Sequence, residues 1–332
     1  MAAKKRKKNV VVLGGGTGTF TVLTGLKNYP LNLTAVVAMA DDGGSTGILR
    51  DELGVLPPGD VRQCLVALSS HDKLMRSLMN YRFVEGGLKG HSFGNLLLSA
   101  LEKITGSFDE AVEKASEILR IEGRVVPATL EKVVLVARVG NRVIRGQNAI
   151  DETNINGALK KISLEPHPHA NPEALRAIKN ADAIVIGPGN LYSSLVPNLL
   201  VKGIPEAIRK SKAKKILICN LMTRMDQMNK NSVAGFTREI ESFIGGPLDA
   251  IIYNNKLAQN SLLTKYAKEH ETPTLWSDLP EDRQTIGADL VARSLPSGQN
   301  KGDILVRSLI RHDTKKLAAT IVSALTNPAK KK

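Results

Sequence analysis

Two stretches near the start of the chain carry the residue types and spacing of a phosphate site. Gly14, Gly15, Gly16, Thr17, Gly18 and Thr19 follow directly on the apolar run 10–13. Glycines at such a junction let the backbone approach a ligand, and the free N–H groups of a helix start favour a phosphate. Asp41, Asp42, Gly43, Gly44, Ser45 and Thr46 end a second apolar run, 33–40. An acid after the second strand is where a dinucleotide fold holds a ribose hydroxyl. Two adjacent carboxylates are also hard oxygen ligands that hold Mg²⁺ against phosphate oxygens, so Asp41 and Asp42 form a candidate metal pair. The spacing G-x-G-x-G is one residue short of the dinucleotide fingerprint, and a plain dinucleotide fold needs no second anion nest. The ligand implied carries several phosphates, or a phosphate and a sugar; which nucleotide stays open.

These residues need strands and helices to hold them. The run 10–13 reads as a buried parallel strand that hands over to a helix beginning near Thr17 or Gly18, with Phe20, Leu23 and Leu26 at helical spacing. Pro57 and Pro58 stop any helix over 48–53, and Asp60 is placed to cap the next one, 61–68. Arg50 and Arg62 flank this turn, and at least one is expected to face the ligand. Gly90, His91, Ser92, Phe93, Gly94 and Asn95 lead into a helix over 96–104; Ser92 and Asn95 are further candidate contacts, whereas His91 alone reads as structural. Residues 71–90 give no clear pattern. Residues 109–119 read as a surface helix, and the short apolar runs within 124–150 as an antiparallel hairpin appended to the sheet.

Strand-then-loop units then recur. Residues 183–186 run into Gly187, Pro188, Gly189, Asn190, Leu191 and Tyr192; residues 216–219 into Asn220 and Thr223; residues 250–253 into Asn254. Polar groups thus gather at the carboxyl ends of successive apolar strands, the edge where open α/β sheets bind ligands. A last helix, 314–325, is capped by Asp313 or Thr314. His167 and His169 have no further metal ligands at a useful spacing and read as a rigid loop. The pattern is α/β, with a mainly parallel sheet and a small antiparallel β insertion near 124–150. The expected organisation is one domain over 9–328 between basic tails at 1–8 and 329–332.

The net charge is +14, but five of those charges lie within 4–8 and three within 330–332, which leaves +6 for the body. Terminal runs of like charge are usually solvated, and the body shows no basic stripe, so a nucleic-acid partner is not expected. No apolar stretch is long enough to span a bilayer and no secretory signal is visible, so neither is a membrane partner. Cys64 and Cys219 are the two cysteines, far apart in apolar surroundings. They read as buried thiols of a cytoplasmic protein.

Seven motifs in order are GGGTGT at 14–19, DDGGSTG at 41–47, PPGDVR at 57–62, GHSFGNL at 90–96, GPGNLYSSLVPNLLV at 187–201, NLMT at 220–223 and RHDT at 311–314. Together they resemble the YvcK/GlmR-type gluconeogenesis factors, within the superfamily of the CofD-like 2-phospho-L-lactate transferases. The resemblance covers nearly the whole chain apart from its tails. It implies a Rossmann-like three-layer sandwich that binds nucleotides. It also implies a regulator that binds UDP-sugars, notably UDP-N-acetylglucosamine, and supports cell-wall precursor supply and cell shape during gluconeogenic growth. The partner implied is glutamine–fructose-6-phosphate aminotransferase; self-association into a homo-oligomer is left open, as is NAD or another dinucleotide as ligand.

The transferase branch of the superfamily implies a different activity, Mg²⁺-dependent movement of a phospholactyl-type group from a guanosine diphosphate adduct. The DDGGSTG and RHDT motifs place this chain nearer the regulators. No nucleophile–base pair stands at a recognisable spacing, which also favours a protein without turnover. A tyrosine and an arginine of the family's C-terminal part are associated with UDP-sugar binding. They match Tyr266, which on its own pattern with Leu262, Leu263 and Ala267 also suits the core, and Arg311 of RHDT. After NLMT this chain reads Arg224, Met225, Asp226, Gln227, Met228, Asn229 where relatives carry a Gly-Glu-Thr-containing run.

Overall fold

The computed structural model describes residues 6–71, 73–155, 157–224, 231–268, 270–293 and 309–326. Twelve strands lie among them: β1 Lys8–Gly14, β2 Leu31–Val37, β3 Arg124–Pro127, β4 Val134–Val139, β5 Arg142–Arg145, β6 Leu159–Glu165, β7 Ala183–Ile186, β8 Lys214–Ile218, β9 Met222–Arg224, β10 Ala250–Asn254, β11 Glu271–Pro273 and β12 Gln284–Ala288. Seven form one sheet in the order β3-β2-β1-β7-β8-β10-β12. Every neighbouring pair in it is parallel. The chain builds outward from β1 to β3 and then returns to the other side of β1 with β7. That reversal between β1 and β7 is the topological switch point, where the loops at the carboxyl ends part to leave a crevice.

Aliphatic strands explain the sandwich. β7 is buried along its whole length, and β1 from Val10 onward, which requires cover on both faces. Alternation divides the side chains: Val10 and Val12 enter the core on one face, Val11 and Leu13 the core on the other. The first face is covered by α1 (Gly16–Leu26), α3 (Gly59–Leu68) and the final helix Thr314–Thr326. The second carries the small sheet and the helix Val233–Ile244.

Two expected boundaries move. The antiparallel sheet is β5-β4-β6, spanning 134–165, and β3 is not part of it. β3 pairs in parallel with β2, from Thr34↔Arg124 to Val37↔Pro127, satisfying the edge that β2 would otherwise leave open. The helix expected over 61–68 begins at Gly59, with Pro58 as its N-cap, so Asp60 lies inside its first turn and does not cap it. Asp313 does cap the last helix, accepting from the N–H groups of Lys315 and Lys316 at 3.0 Å each. His167 and His169 contact Leu164 O and Glu131. Among those residues no helix is long and apolar enough to cross a membrane. The altered run after NLMT lies mostly outside the described residues, at 225–230, as do both tail ends.

Candidate functional site

The first glycine loop closes the carboxyl end of β1. Gly15 is the N-cap of α1 and brings no capping side chain; of the first-turn N–H groups, that of Gly16 is held by the Asp60 carboxyl. Gly16 has φ +65°, a left-handed conformation that a β-carbon resists. Gly18 serves packing: a β-carbon there would stand 2.0 Å from the carbonyl oxygen of Pro188. The loops following β1 and β7 therefore touch backbone to side of helix across the switch point. Thr19 is fully buried and donates to Gly15 O at 3.3 Å, whereas Thr17 is exposed at the helix mouth.

The second loop opens α2 (Gly44–Leu53) with equal economy. Its N-cap Gly43 has no side-chain cap, and Gly44, at φ +46°, has nothing within 4 Å of where a β-carbon would be. Two uncapped helix N-termini thus stand at neighbouring strand ends, each with a small positive dipole end.

The carboxylates are arranged differently from the sequence expectation. Asp42 turns away: it accepts from the N–H groups of Gln147 and Asn148, both at 2.9 Å, tying the insertion's helix Gln147–Glu152 to the loop. Its two oxygens each hold one N–H of that helix start. The carboxylate that converges with Asp41 is Asp60. A β-carbon on Gly59 would meet Asp41 Oδ2 at 2.5 Å, and one on Gly15 would meet Asp60 Oδ2 at 2.1 Å. Asp41 accepts from Gly43 N–H at 3.0 Å. Burial pushes the Asp41 carboxyl up, against the pull of its Gly43 and Thr46 hydrogen bonds, and Asp42 adds to the rise. Burial likewise pushes Asp60 up to about 7, with the Asp41 charge as the next cause. No cluster of three or more metal-ligating side chains exists among the described residues. Replacing Asp42 by alanine should cost about 0.5–2 kcal/mol of stability, the worth of a helix-start cap; an unchanged urea midpoint would contradict this role.

Arg50 and Arg62 are both braces. Arg50 donates to Asp41 O at 3.1 Å and Val133 O at 3.2 Å, joining the loop to the insertion. Arg62 is buried, with Nε donating to Asn95 Oδ1 at 2.9 Å and Nη1 to Asn80 Oδ1 at 2.6 Å. Ser92 caps the helix Phe93–Thr105 by accepting from Asn95 N–H at 3.2 Å. Ser45, Thr46, Ser92 and Asn95 are brought together as expected, but as one buried polar network. Ser45 Oγ lies 3.2 Å from His91 Nδ1, a hydroxyl–imidazole contact that a separation of 46 positions hid from the sequence. Ser45 Oγ also accepts from Ser92 N–H at 3.4 Å and from Asn95 Nδ2 at 3.3 Å.

Across the switch point, Gly187 has φ +79°. Gly189 exchanges two hydrogen bonds with the Asn220 amide, 3.0 and 2.9 Å, which joins the loops after β7 and β8. Asn190 is exposed and donates to Asp151 at 3.3 Å. Leu191 and Tyr192 are both buried in the second core; Leu191 still lines the small cavity at this edge, whereas Tyr192 donates its hydroxyl proton to Glu239 at 3.0 Å. The apolar character of a five-residue π turn, Leu191–Leu195, drives them inward. A cavity of about 50 Å³ is lined by Asp151, Asn190, Asn220, Thr223, Arg224 and Glu271 among others. Asp151, pushed up by burial, was missed because it sits on a short polar helix of the insertion with no motif around it. Thr223 is buried and shares a hydrogen with Thr274 at 2.9 Å.

Farther along this edge Asn254 accepts from Leu290 N–H at 3.0 Å. Tyr266 is core, as its helical pattern allows, and its hydroxyl accepts from the N–H groups of Leu309 and Ile310. It pins the segment that carries Arg311. A separate cavity of about 670 Å³ opens at the amino ends of β1 and β2, beside Lys27, Arg124 and Arg176. Its two arginines are both paired with Glu173, and no glycine loop faces it; the carboxyl edge is the better site.

Comparison with known proteins agrees with this architecture. The model of the family described as 2-phospho-L-lactate transferase CofD matches residues 10–295. The gluconeogenesis factor of Bacillus subtilis is 38% identical over 324 residues, covering 96% of this chain and 99% of that protein. That of Halalkalibacterium halodurans is 42% identical over 275 residues, 81% of this chain and 84% of that one. A crystal structure of an upf0052 family member from Bacillus halodurans superposes with a TM-score of 0.86 at 38% identity, covering 96% of this chain and 99% of its own.

Proposed function

Since this chain belongs to the 2-phospho-L-lactate transferase CofD family, and is similar over nearly its full length to gluconeogenesis factors, we propose that it is a nucleotide-sugar-binding regulator. Its ligand is a UDP-sugar of the UDP-N-acetylglucosamine type, and it serves gluconeogenic growth, cell-wall precursor supply and cell shape in the cytoplasm. The observation that carries this reading is the pair of uncapped helix N-termini, α1 and α2, at adjacent strand ends beside the switch point. They offer a diphosphate two sets of backbone donors. The polar network of Ser45, Thr46, Ser92 and Asn95 behind them holds those donors in place. The partner that fits such a role is glutamine–fructose-6-phosphate aminotransferase.

Arg311 supplies a charged donor from the C-terminal side. Its backbone is pinned by Ala292 N–H donating to Arg311 O at 2.8 Å and, one residue earlier, by the Tyr266 hydroxyl. Arg311→Ala is expected to weaken UDP-N-acetylglucosamine by about 1.5–3 kcal/mol, the range of a hydrogen bond to a charged group, with an unchanged melting temperature. Calorimetry of parent and variant checks it; equal affinities would remove Arg311 from the site.

A second reading, Mg²⁺-dependent group transfer from a nucleoside-diphosphate-linked substrate, is favoured by the Asp41–Asp60 pair. Two converging carboxylates suit Mg²⁺, which takes one or two carboxylates and completes its shell with water and phosphate oxygens. Bound there it would neutralise charge between the acids and a diphosphate. Asp41 and Asp60, not Asp42, would then hold it, while Gly43 N–H and Gly16 N–H orient the two carboxylates.

A further inference from the structure

The amino ends of β1, β2 and β3 form the edge of the sheet opposite the glycine loops, and the cavity of about 670 Å³ opens there. Strand alternation puts Asn9 and Val11 of β1, Asn32 and Thr34 of β2 and Arg124 of β3 on the second face, which Leu13, Val36 and Val126 continue into its core. Register brings them side by side: Asn9 stands opposite Asn32, Val11 opposite Thr34, and Thr34 opposite Arg124. An otherwise aliphatic face therefore turns polar at this end. Asn32 Nδ2 donates to Asn9 Oδ1 at 3.0 Å, and Asn9 Nδ2 to Asn180 O at 3.0 Å. The second bond joins this platform to the C-cap of the helix Pro172–Lys179.

Four cations line the cavity, Lys7, Lys27, Arg124 and Arg176, against one carboxylate, Glu122. Glu173 beside it bridges the two arginines: Arg124 Nη2 donates to its Oε2 at 2.7 Å and Arg176 Nη1 to its Oε1. Each guanidinium has five N–H donors in a fixed fork, and Glu173 takes one from each. The two arginine side chains stay 55% and 63% exposed, so their remaining donors are open to a ligand. An exposed ion pair contributes about 0–1 kcal/mol, too little to withhold them. Glu173 thus aims both forks and cancels one of their two charges. With Glu122 and Glu173 set against the four cations, two positive charges are left over. The helix α1 and the helix Pro172–Lys179 meet the cavity with their C-terminal ends, at Lys27 and Asn180. Such ends repel anions and accept from hydroxyl groups, so the attraction for an anion comes from side chains alone.

We infer that this cavity is a second ligand site, one that takes a phosphate monoester carried on a small polyhydroxylated body. A carboxylate fills one fork with its two oxygens. A phosphate monoester brings three acceptor oxygens and close to two negative charges, which match two forks and the charge left over. The volume falls within the range of small-molecule sites, about 300–1,000 Å³, and is far more than a bare anion fills. The amides of Asn9, Asn32 and Asn180 suit hydroxyl groups, as donors and as acceptors, while Val11, Leu33 and Ala177 line the space left for a carbon skeleton. The site lies at the other end of β1 from Gly14, so it stands whether or not the carboxyl edge takes a UDP-sugar.

Calorimetry in a phosphate-free buffer tests it, with glucose 6-phosphate, glycerol 3-phosphate, inorganic phosphate and glucose as probes. The proteins compared are the parent, the double variant Arg124→Gln with Arg176→Gln, and Asn32→Ala. At least one of the two monoesters should bind the parent saturably, on the order of 10-fold more tightly than inorganic phosphate, and glucose should not bind. The double variant should lose on the order of 10-fold or more in monoester affinity, with its melting temperature little changed because both side chains are exposed. Asn32→Ala keeps both forks and should weaken the monoester while leaving inorganic phosphate as it was. Equal monoester affinity in the parent and the double variant would put the phosphate at the helix starts of α1 and α2 and overturn the site. Failure of both monoesters to bind at millimolar concentration overturns it too, as does inorganic phosphate binding as tightly as either, an adventitious ion only. Unchanged monoester affinity in Asn32→Ala also counts against it, and decides the matter should the double variant not fold.

Discussion

Replacing Asp60 by asparagine is expected to raise the stability of the metal-free protein at pH 8 by about 2–4 kcal/mol and to change it little below pH 4. The Asp60 carboxyl is pushed up to about 7 by burial and by Asp41, against an unfolded value near 3.8. Between those values the folded chain keeps a proton that the unfolded chain has released. Its contribution is therefore fully present at low pH and is lost as pH rises from about 4 through about 7, at roughly 1.4 kcal/mol per pH unit. Asparagine keeps an acceptor for Gly16 N–H and turns a donor toward Asp41, so it stands in for the protonated acid at every pH. Urea unfolding in EDTA at pH 5 and pH 8 reads this directly. A parent protein as stable at pH 8 as at pH 5, or a variant with the same slope, would show that Asp60 ionises freely.

Gly18→Ala should be the most damaging single methyl in the site. Its β-carbon would lie 2.0 Å from Pro188 O and 2.7 Å from Pro188 C, both backbone atoms that cannot rotate away. Either α1 lifts or the loop 187–190 retreats, at a cost of about 1–3 kcal/mol for overpacking, and the crevice between β1 and β7 changes width. The expected result is a melting temperature several degrees lower together with UDP-sugar affinity reduced at least 10-fold, on the order of one hydrogen bond or more of lost alignment. Gly44→Ala is the control, because nothing lies within 4 Å of its added β-carbon, although its φ of +46° still carries strain. Equal stability of Gly18→Ala and the parent would mean that the two loops do not bear on each other.

These two residues show what was legible from sequence and what was not. Apolar runs ending in glycine or asparagine placed the loops at 14–19, 41–47, 187–190 and 220 on one sheet edge, because strand period and loop composition are local signals. That they meet was implied by parallel topology alone. The assignment of individual side chains was less secure, since it depends on who stands opposite. Asp42 beside Asp41 looked like a pair, yet one caps a helix 105 positions away. Asp60 looked like a cap, yet it faces a glycine 44 positions earlier. Tyr192 belonged by motif to the site and by hydropathy to the core, and packing decided it. Asp151 was missed because an ordinary polar helix says nothing of the strand end it reaches.

The most direct test of the central claim is a calorimetric titration of the parent protein with UDP-N-acetylglucosamine, followed by mass analysis of the recovered nucleotide. Saturable binding at one site per chain, with the UDP-sugar returned intact in the presence of Mg²⁺, is the predicted result. No binding at millimolar concentration, or cleavage of the sugar nucleotide, would contradict a nucleotide-sugar receptor without turnover.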